Sequence, residues 1–264
     1  MILVTGATGF IGDNLTKTLI EKGYAVSVLV RRPYNNIKTF IGDLNNKEVL
    51  DNATKNIDTI IHLAGISKGN VFEVNSKGTK NLVDAAVKNK VKRFIFISSY
   101  DVVKNTKYGK SKLKAENFIK NSGLNYIIFR PTVVYGRGNK KDIDKLIDLI
   151  KKFPLIPIPG KGNVKLQPLL LDDLIDLIIQ GIKSKKKNKE YFVAGPEAIS
   201  FNEIVNVISK TISQKIYKLY IPNILLFLIN KSLLEDKVCN INEVKKDFTF
   251  NPKYFEEGIK LSFK

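Results

Sequence analysis

The sequence predicts an α/β fold, a doubly wound parallel sheet with a small mixed C-terminal cap. Three observations predict it. Short apolar runs alternate with longer helical ones, a glycine-rich turn joins the first run to the first helix, and the alternation loosens after Arg130. A β-α-β-α rhythm of this kind implies parallel strands joined by right-handed crossovers.

Strands are expected at Ile2–Val4, Ala25–Val30, Thr39–Ile41, Thr59–Leu63, Phe94–Ile97 and Tyr126–Phe129. Each is a continuous apolar run, as strands buried on both faces should be. Helical patterns lie between them, for example Ile11–Glu21, Phe72–Lys88 and Ser111–Lys120. Past Arg130, Pro154, Pro157, Pro159, Gly160 and Gly162 cluster in one expected loop. Helical stretches follow near Leu171–Ile182, Asn202–Ile212 and Pro222–Leu234.

Composition narrows the class. With 264 residues, 44% of them hydrophobic, the chain can bury a sizeable core. A single cysteine leaves no internal disulfide and no cysteine-rich zinc site, so no metal is expected and a reducing, cytoplasmic location is. A strand opens at residue 2, so no signal peptide is expected ahead of the fold. The longest apolar run, Leu219 to Ile229, carries a proline and an asparagine and is too short to span a bilayer. The net charge of +19 is mostly lysine spread along the whole chain, which argues against a nucleic-acid patch. The densest run, Lys183-Ser-Lys-Lys-Lys-Asn-Lys189, reads as a solvated loop.

Thr5-Gly-Ala-Thr-Gly-Phe-Ile-Gly12 sits where the first strand meets the first helix. Gly6 permits the tight turn, Gly9 lets backbone approach a pyrophosphate, and Gly12 allows close helix–strand packing. Thr8, Phe10 and Ile11 complete the turn, whose free N–H groups and helix dipole favour phosphate. A Rossmann-type NAD(P)-binding domain over residues 1–160 follows, with 161–264 as a smaller substrate-side region interleaved with it. The second strand should end beside the adenosine ribose, and there the chain offers Arg31 and Arg32 instead of a carboxylate. An arginine pair can hold a 2′-phosphate by charge-assisted hydrogen bonds, so NADP is expected over NAD. The competing reading is two exposed arginines in a basic protein. Arginine is scarce here, which weakens it.

A Tyr-x-x-x-Lys pair on a helix puts both side chains on one face, where the ammonium can lower the phenol pKa for proton exchange with a hydroxyl or carbonyl. With ten tyrosines and abundant lysine, chance matches are expected. Three pairs occur: Tyr34/Lys38, Tyr100/Lys104 and Tyr108/Lys112. Only Tyr108 opens a helical run just after a strand end, at the carboxyl edge where open α/β sheets bind ligands. Tyr108 and Lys112 are the expected pair.

Other segments join these: Gly42-Asp43-Leu44, His62-Leu-Ala-Gly65, Asn75-x-x-Gly-Thr79, Ser98-Ser99, Arg130-Pro131-x-x-x-Tyr-Gly136, Gln167-Pro168 through Asp172-Asp173, and Phe248-x-x-Asn-Pro252 to Glu257-Gly258. As a set, spread over essentially the whole chain, they resemble the short-chain dehydrogenase/reductase superfamily in its extended or atypical branch, the NAD-dependent epimerase/dehydratase-like proteins. The resemblance implies that Tyr108 is the acid/base, that Lys112 also holds the nicotinamide ribose, and that Ser99 hydrogen-bonds the reacting oxygen. It implies that Asp43 and Leu44 border the adenine, that Leu63, Ala64 and Gly65 line the cofactor, and that Pro131 sits near the nicotinamide. His62, the only histidine, is read as structural.

The chain also departs from that pattern. Only eight residues separate Ser99 from Tyr108, and Lys165-Leu166-Gln167-Pro168 stands where nucleotide-sugar members commonly carry a diphosphate-binding arginine. The Gln-Pro variant resembles an atypical subgroup that includes a nucleotide-binding accessory subunit of respiratory complex I. The expected function is NADP-dependent reduction or epimerisation of a nucleotide-sugar or similar keto/hydroxy substrate. The alternative is a non-catalytic dinucleotide-binding structural or sensor subunit of a larger assembly, for which the apolar stretch Leu225–Ile229 could seat a partner or touch a membrane. A homodimer is compatible with either.

Overall fold

The computed structural model describes residues 1–34, 37–138, 142–224 and 234–262. The chain divides into two compact units, Met1–Arg130 with Ile175–Tyr191, and Pro131–Leu174 with Phe192–Lys264. The stretch Leu225–Ile229 and most of the expected Pro222–Leu234 helix lie outside the described residues.

The first unit is built on the predicted sheet. Its strands are β1 (Ile2–Thr5), β2 (Val26–Val30), β3 (Lys38–Ile41), β4 (Thr59–His62), β5 (Arg93–Ile97) and β6 (Tyr126–Pro131). With β11 (Lys189–Val193), which the sequence reading had not placed in the sheet, they run in the order β11-β6-β5-β4-β1-β2-β3. The pairs from β3 to β6 are all parallel. Strand order reverses between β1 and β4, so the loops after these two strands diverge at a switch point, where such sheets bind ligands. β1 and β4 are buried at every residue, as their unbroken Ile/Leu/Val runs require.

Helices α1 (Phe10–Glu21), α2 (Lys47–Thr54), α3 (Thr79–Lys88) and α4 (Lys107–Lys120) connect these strands. Asn46 caps α2 by accepting from Val49 N–H, and Thr106 caps α4 by accepting from Gly109 N–H. The helix expected over Phe72–Lys88 opens instead as a π-helical segment, Phe72–Gly78, before α3 begins. Such wide turns are rare and concentrate at functional sites.

Among the described residues, the strands that lie wholly in the second unit form two-stranded pairings. β7 (Val134–Tyr135) pairs with β10 (Leu169–Leu170), and β9 (Lys165–Leu166) with β12 (Ile199–Ser200). β8 (Leu155–Pro159) lies parallel to β13 (Tyr217–Ile221). Here the sequence reading is corrected, because the proline cluster assigned to a loop contains a strand. Pro157 and Pro159 are two residues apart, so both ring nitrogens point to the open side of a two-stranded pair, where no ladder bond is lost. α5 (Asp142–Lys152), α7 (Phe201–Thr211), α8 (Asn242–Asp247) and α9 (Phe255–Ser262) belong to this unit, and α6 (Leu171–Lys183) begins in it. Ile147, Ile150, Ile156, Ile158, Ile204, Ile208 and Phe255 form its core. The lysine-rich run lies between α6 and β11, mostly exposed.

Candidate active site

The glycine turn has no spare room. Gly6 adopts φ +75°, and a Cβ there would lie 2.6 Å from the Ala64 nitrogen. A Cβ on Gly12 would lie 2.1 Å from the Gly6 carbonyl oxygen. Gly9 is the N-cap of α1 and carries no side-chain cap, so the first N–H groups of the helix are left for a ligand. Thr8 and Gly9 are exposed, while Phe10 and Ile11 are half-buried behind them. This cradle fits the pyrophosphate of a dinucleotide.

Leu63, Ala64 and Gly65 follow β4 and face that turn through the Gly6–Ala64 approach. Leu44 is buried against Gly78, and its carbonyl accepts from Asn81 Nδ2 at 3.0 Å. Asp43 is exposed and caps its own turn, accepting from Asn45 N–H at 2.8 Å. Arg31 and Arg32 leave the end of β2 exposed, and neither forms an ion pair with a described residue. Pro131 ends β6, buried, and belongs to the second unit.

Of the three Tyr/Lys matches, only Tyr108/Lys112 lies on a helix. Thr106 starts α4 just before Tyr108, and a Cβ on Gly109 would lie 2.0 Å from the Asp101 carbonyl oxygen, so the turn after Ser99 packs tightly on the helix start. Tyr34 instead donates to Asp13 at 2.7 Å, which fixes the loop after β2 to α1. Tyr100 sits on a short 3₁₀ turn with Lys104 over its ring.

Ser99 and Tyr108 are hydrogen-bonded through their hydroxyls. Burial pushes the Tyr108 phenol up, and that outweighs the downward pull of Ser99. The expectation that Lys112 would lower this phenol is therefore not met, and Tyr108 holds its proton at neutral pH. Lys112 is buried, donates to the Ile97 carbonyl at 2.9 Å, and stands 4.4 Å from the Phe96 ring centroid. Burial brings its pKa down to about 8, opposed by the Glu116 charge one turn further along. At pH 7 it remains an ammonium with two further N–H donors, beside Gly65. A ribose diol fits such a donor.

Two hydrogen-bond networks brace these groups. Asn75, in the π-helical segment, accepts from Ile66 N–H and donates to Ile66 O and to Ser111 Oγ, and Ser111 donates to the Tyr108 carbonyl. The loop after β4 is thereby tied to α4. The Asn75-x-x-Gly-Thr79 motif gives Asn75 no role from sequence alone. The second network explains His62. Thr79 donates to the Asn75 carbonyl, so it accepts from His62 Nε2–H, and His62 Nδ1 accepts from Thr5. That assigns a neutral tautomer. Burial first, then the Lys112 charge, lower the imidazole pKa to about 3. The histidine is structural. Arg130 adds a buried ion pair, donating to both oxygens of Glu116 on α4 and also to Glu190.

In the second unit, Gln167 stands near where nucleotide-sugar members commonly carry arginine. Its amide is consumed internally, donating to Gly195 O at 2.8 Å and accepting from Cys239 N–H at 3.0 Å. Asp173 accepts from the backbone and side chain of Lys253. Gly258 leaves room for the buried Tyr135 ring.

Known proteins place this arrangement. UDP-glucose 4-epimerase of Vibrio cholerae is 29% identical over 98% of this chain and 93% of its own length. A 3-beta-hydroxysteroid dehydrogenase of Mycolicibacterium neoaurum is 30% identical over 66% of this chain and 58% of its own. MoeE5, solved with UDP-glucuronic acid and NAD, superposes with a TM-score of 0.85 at 23% identity, covering 98% of this chain and 96% of that one. The profile of the NAD dependent epimerase/dehydratase family matches residues 2–195, and this chain belongs to that family of NAD-dependent enzymes.

Proposed function

We propose that the chain is an NADP-preferring oxidoreductase or epimerase in which Tyr108 is the proton donor and acceptor, Ser99 positions the reacting oxygen, and Lys112 holds the nicotinamide ribose. The observation that carries this reading is the hydroxyl pair Ser99–Tyr108 together with a buried Lys112 one turn along α4 from Tyr108. A bound reduced nicotinamide would supply a hydride to a carbonyl carbon. Tyr108, protonated at neutral pH, gives its proton to the carbonyl oxygen as the alcohol forms, and takes one back in the reverse direction. Ser99 hydrogen-bonds that oxygen, and the Lys112 ammonium stabilises the phenolate left on Tyr108.

Arg31 and Arg32 support NADP, because exposed guanidiniums with no ion pair among the described residues can pair with a 2′-phosphate. The other cofactor contacts in this reading are Gly6, Thr8, Gly9, Phe10, Ile11, Gly12, Asp43, Leu44, Leu63, Ala64, Gly65 and Pro131. A nucleotide-sugar is the substrate class that the Vibrio cholerae relative's name supports. Turnover of NADPH against a panel of nucleotide-sugars and simple ketones tests the proposal. Lys112→Met should lower both turnover and cofactor affinity. Binding of NADPH without turnover of any carbonyl compound would favour the non-catalytic subunit instead.

A further inference from the structure

The ribbon of β8 and β13 leaves apolar side chains in water. Leu155 is 51% exposed, Tyr217 59% and Leu219 48%, and Ile224, three residues past β13, is 73% exposed. The parallel register sets Leu155 beside Tyr217, and Tyr217 and Leu219 alternate with Lys218 along the strand, so Leu155, Tyr217 and Leu219 share a face. Lys218 turns to the opposite side, where its Nζ donates to Asn202 of α7 at 3.1 Å. None of the four apolar side chains lines the unit's cavity of about 840 Å³. Apolar surface left together in water marks a contact with something else.

Charge says what that contact is. The segments that build the ribbon, 149–171 and 204–234, each carry four lysines and no Asp or Glu, in a chain with 25 acidic residues. Lys215 stands exposed just before β13, with its Nζ 5.8 Å from the centroid of the Tyr217 ring. The sequence after Ile224 goes on as Leu-Leu-Phe-Leu-Ile229. An apolar face rimmed by cations alone complements a medium that is apolar beneath an anionic surface. Tyrosine suits that boundary, with its ring among acyl carbons and its hydroxyl among headgroups. Lysine stems lie along apolar neighbours and carry the ammonium out to the phosphates. Among the described residues no helix is long and apolar enough to cross a membrane, and side chains of a ribbon reach only the boundary of headgroups and acyl chains.

We propose that the β8–β13 face docks the chain on an anionic phospholipid bilayer, with Leu155, Tyr217, Leu219 and Ile224 in the headgroup boundary and Lys215 among the phosphates. The proposal goes beyond the reaction above and stands without it.

Co-sedimentation of the full chain with vesicles of phosphatidylcholine and phosphatidylglycerol in equal parts tests it. The chain should bind these vesicles, less tightly as salt rises, and should bind pure phosphatidylcholine about tenfold more weakly or worse. Tyr217→Ser with Leu219→Ser should lower the affinity about tenfold or more, by removing most of the buried apolar surface. Lys215→Gln should lower it about fivefold, the share of one lysine near an anionic surface. An unchanged urea midpoint and unchanged NADPH binding in these variants would show that they fold. Lys185→Gln with Lys187→Gln, exposed in the lysine-rich run of the first unit, should cost less than Lys215→Gln alone. Three results would overturn the proposal. One is no binding to the mixed vesicles. Another is a loss from the Lys185/Lys187 pair as large as that from Lys215→Gln, which would make the attraction one of net charge. The third is self-association of the chain that the Tyr217/Leu219 variant abolishes while vesicle binding survives, which would make the face a contact between two copies.

Discussion

The two units solve different problems with the same chain. In the first, the buried polar groups that brace the candidate site are tied to named partners: His62 between Thr5 and Thr79, Asn75 between Ile66 and Ser111, Arg130 on Glu116. In the second, the described strands come in pairs, the core is mostly aliphatic, and a largely apolar cavity remains. Chemistry demands fixed atoms, and a seven-stranded sheet with braced loops holds them. Recognition of varied molecules demands shape, which short pairings and loops change at little cost to the core.

Charge removal should expose this contrast most strongly. Arg130→Met leaves the fully buried Glu116 carboxylate without its fork, and breaking such a pair costs about 3–5 kcal/mol. Urea unfolding should show that loss. The cofactor end of the first unit comes next. Arg31→Ala with Arg32→Ala should weaken NADPH by about tenfold to a hundredfold, at about 1.4 kcal/mol per decade, and leave NADH nearly unchanged. Equal affinity of the wild type for both cofactors would break that reading.

Acid should strain the first unit through His62. Its pKa is about 3 folded against 6.5 for the free group, so between these values the unfolded chain binds more protons. Stability therefore falls as pH drops from about 6.5 to about 3, and His62→Gln should flatten that limb of the stability curve. The smallest effect belongs to the second unit. Lys253→Met removes a half-exposed partner of Asp173, and unfolding should register under about 1 kcal/mol. A loss matching that of Arg130→Met would erase the contrast.

Legibility in the sequence follows the same division. The first unit was readable because its signals are local: an apolar run, a glycine turn and a helix start within a dozen residues, and a Tyr-x-x-x-Lys pair that opens a helical run just after a strand end. The second unit's central pairing joins β8 to β13 across some sixty residues, and no local pattern announces a strand made of Leu-Ile-Pro-Ile-Pro. Burial was the other blind spot. Sequence spacing puts Lys112 beside Tyr108, but whether desolvation or the cation governs the phenol depends on packing, and packing reversed the expected direction. Asn75 escaped notice because its role depends on a π-helical turn that aims its amide at Ile66.

The central claim is that the chemistry belongs to the first unit through one hydroxyl. Tyr108→Phe keeps the ring and removes that hydroxyl, so single-turnover reduction of an accepted carbonyl substrate by bound NADPH measures the claim directly. The rate should fall by about 10²–10⁴-fold with cofactor affinity and folding retained. Tyr34→Phe and Tyr100→Phe, each in contacts of its own, should keep near-normal rates. A full rate in Tyr108→Phe, or a large loss in Tyr100→Phe alone, would contradict the account.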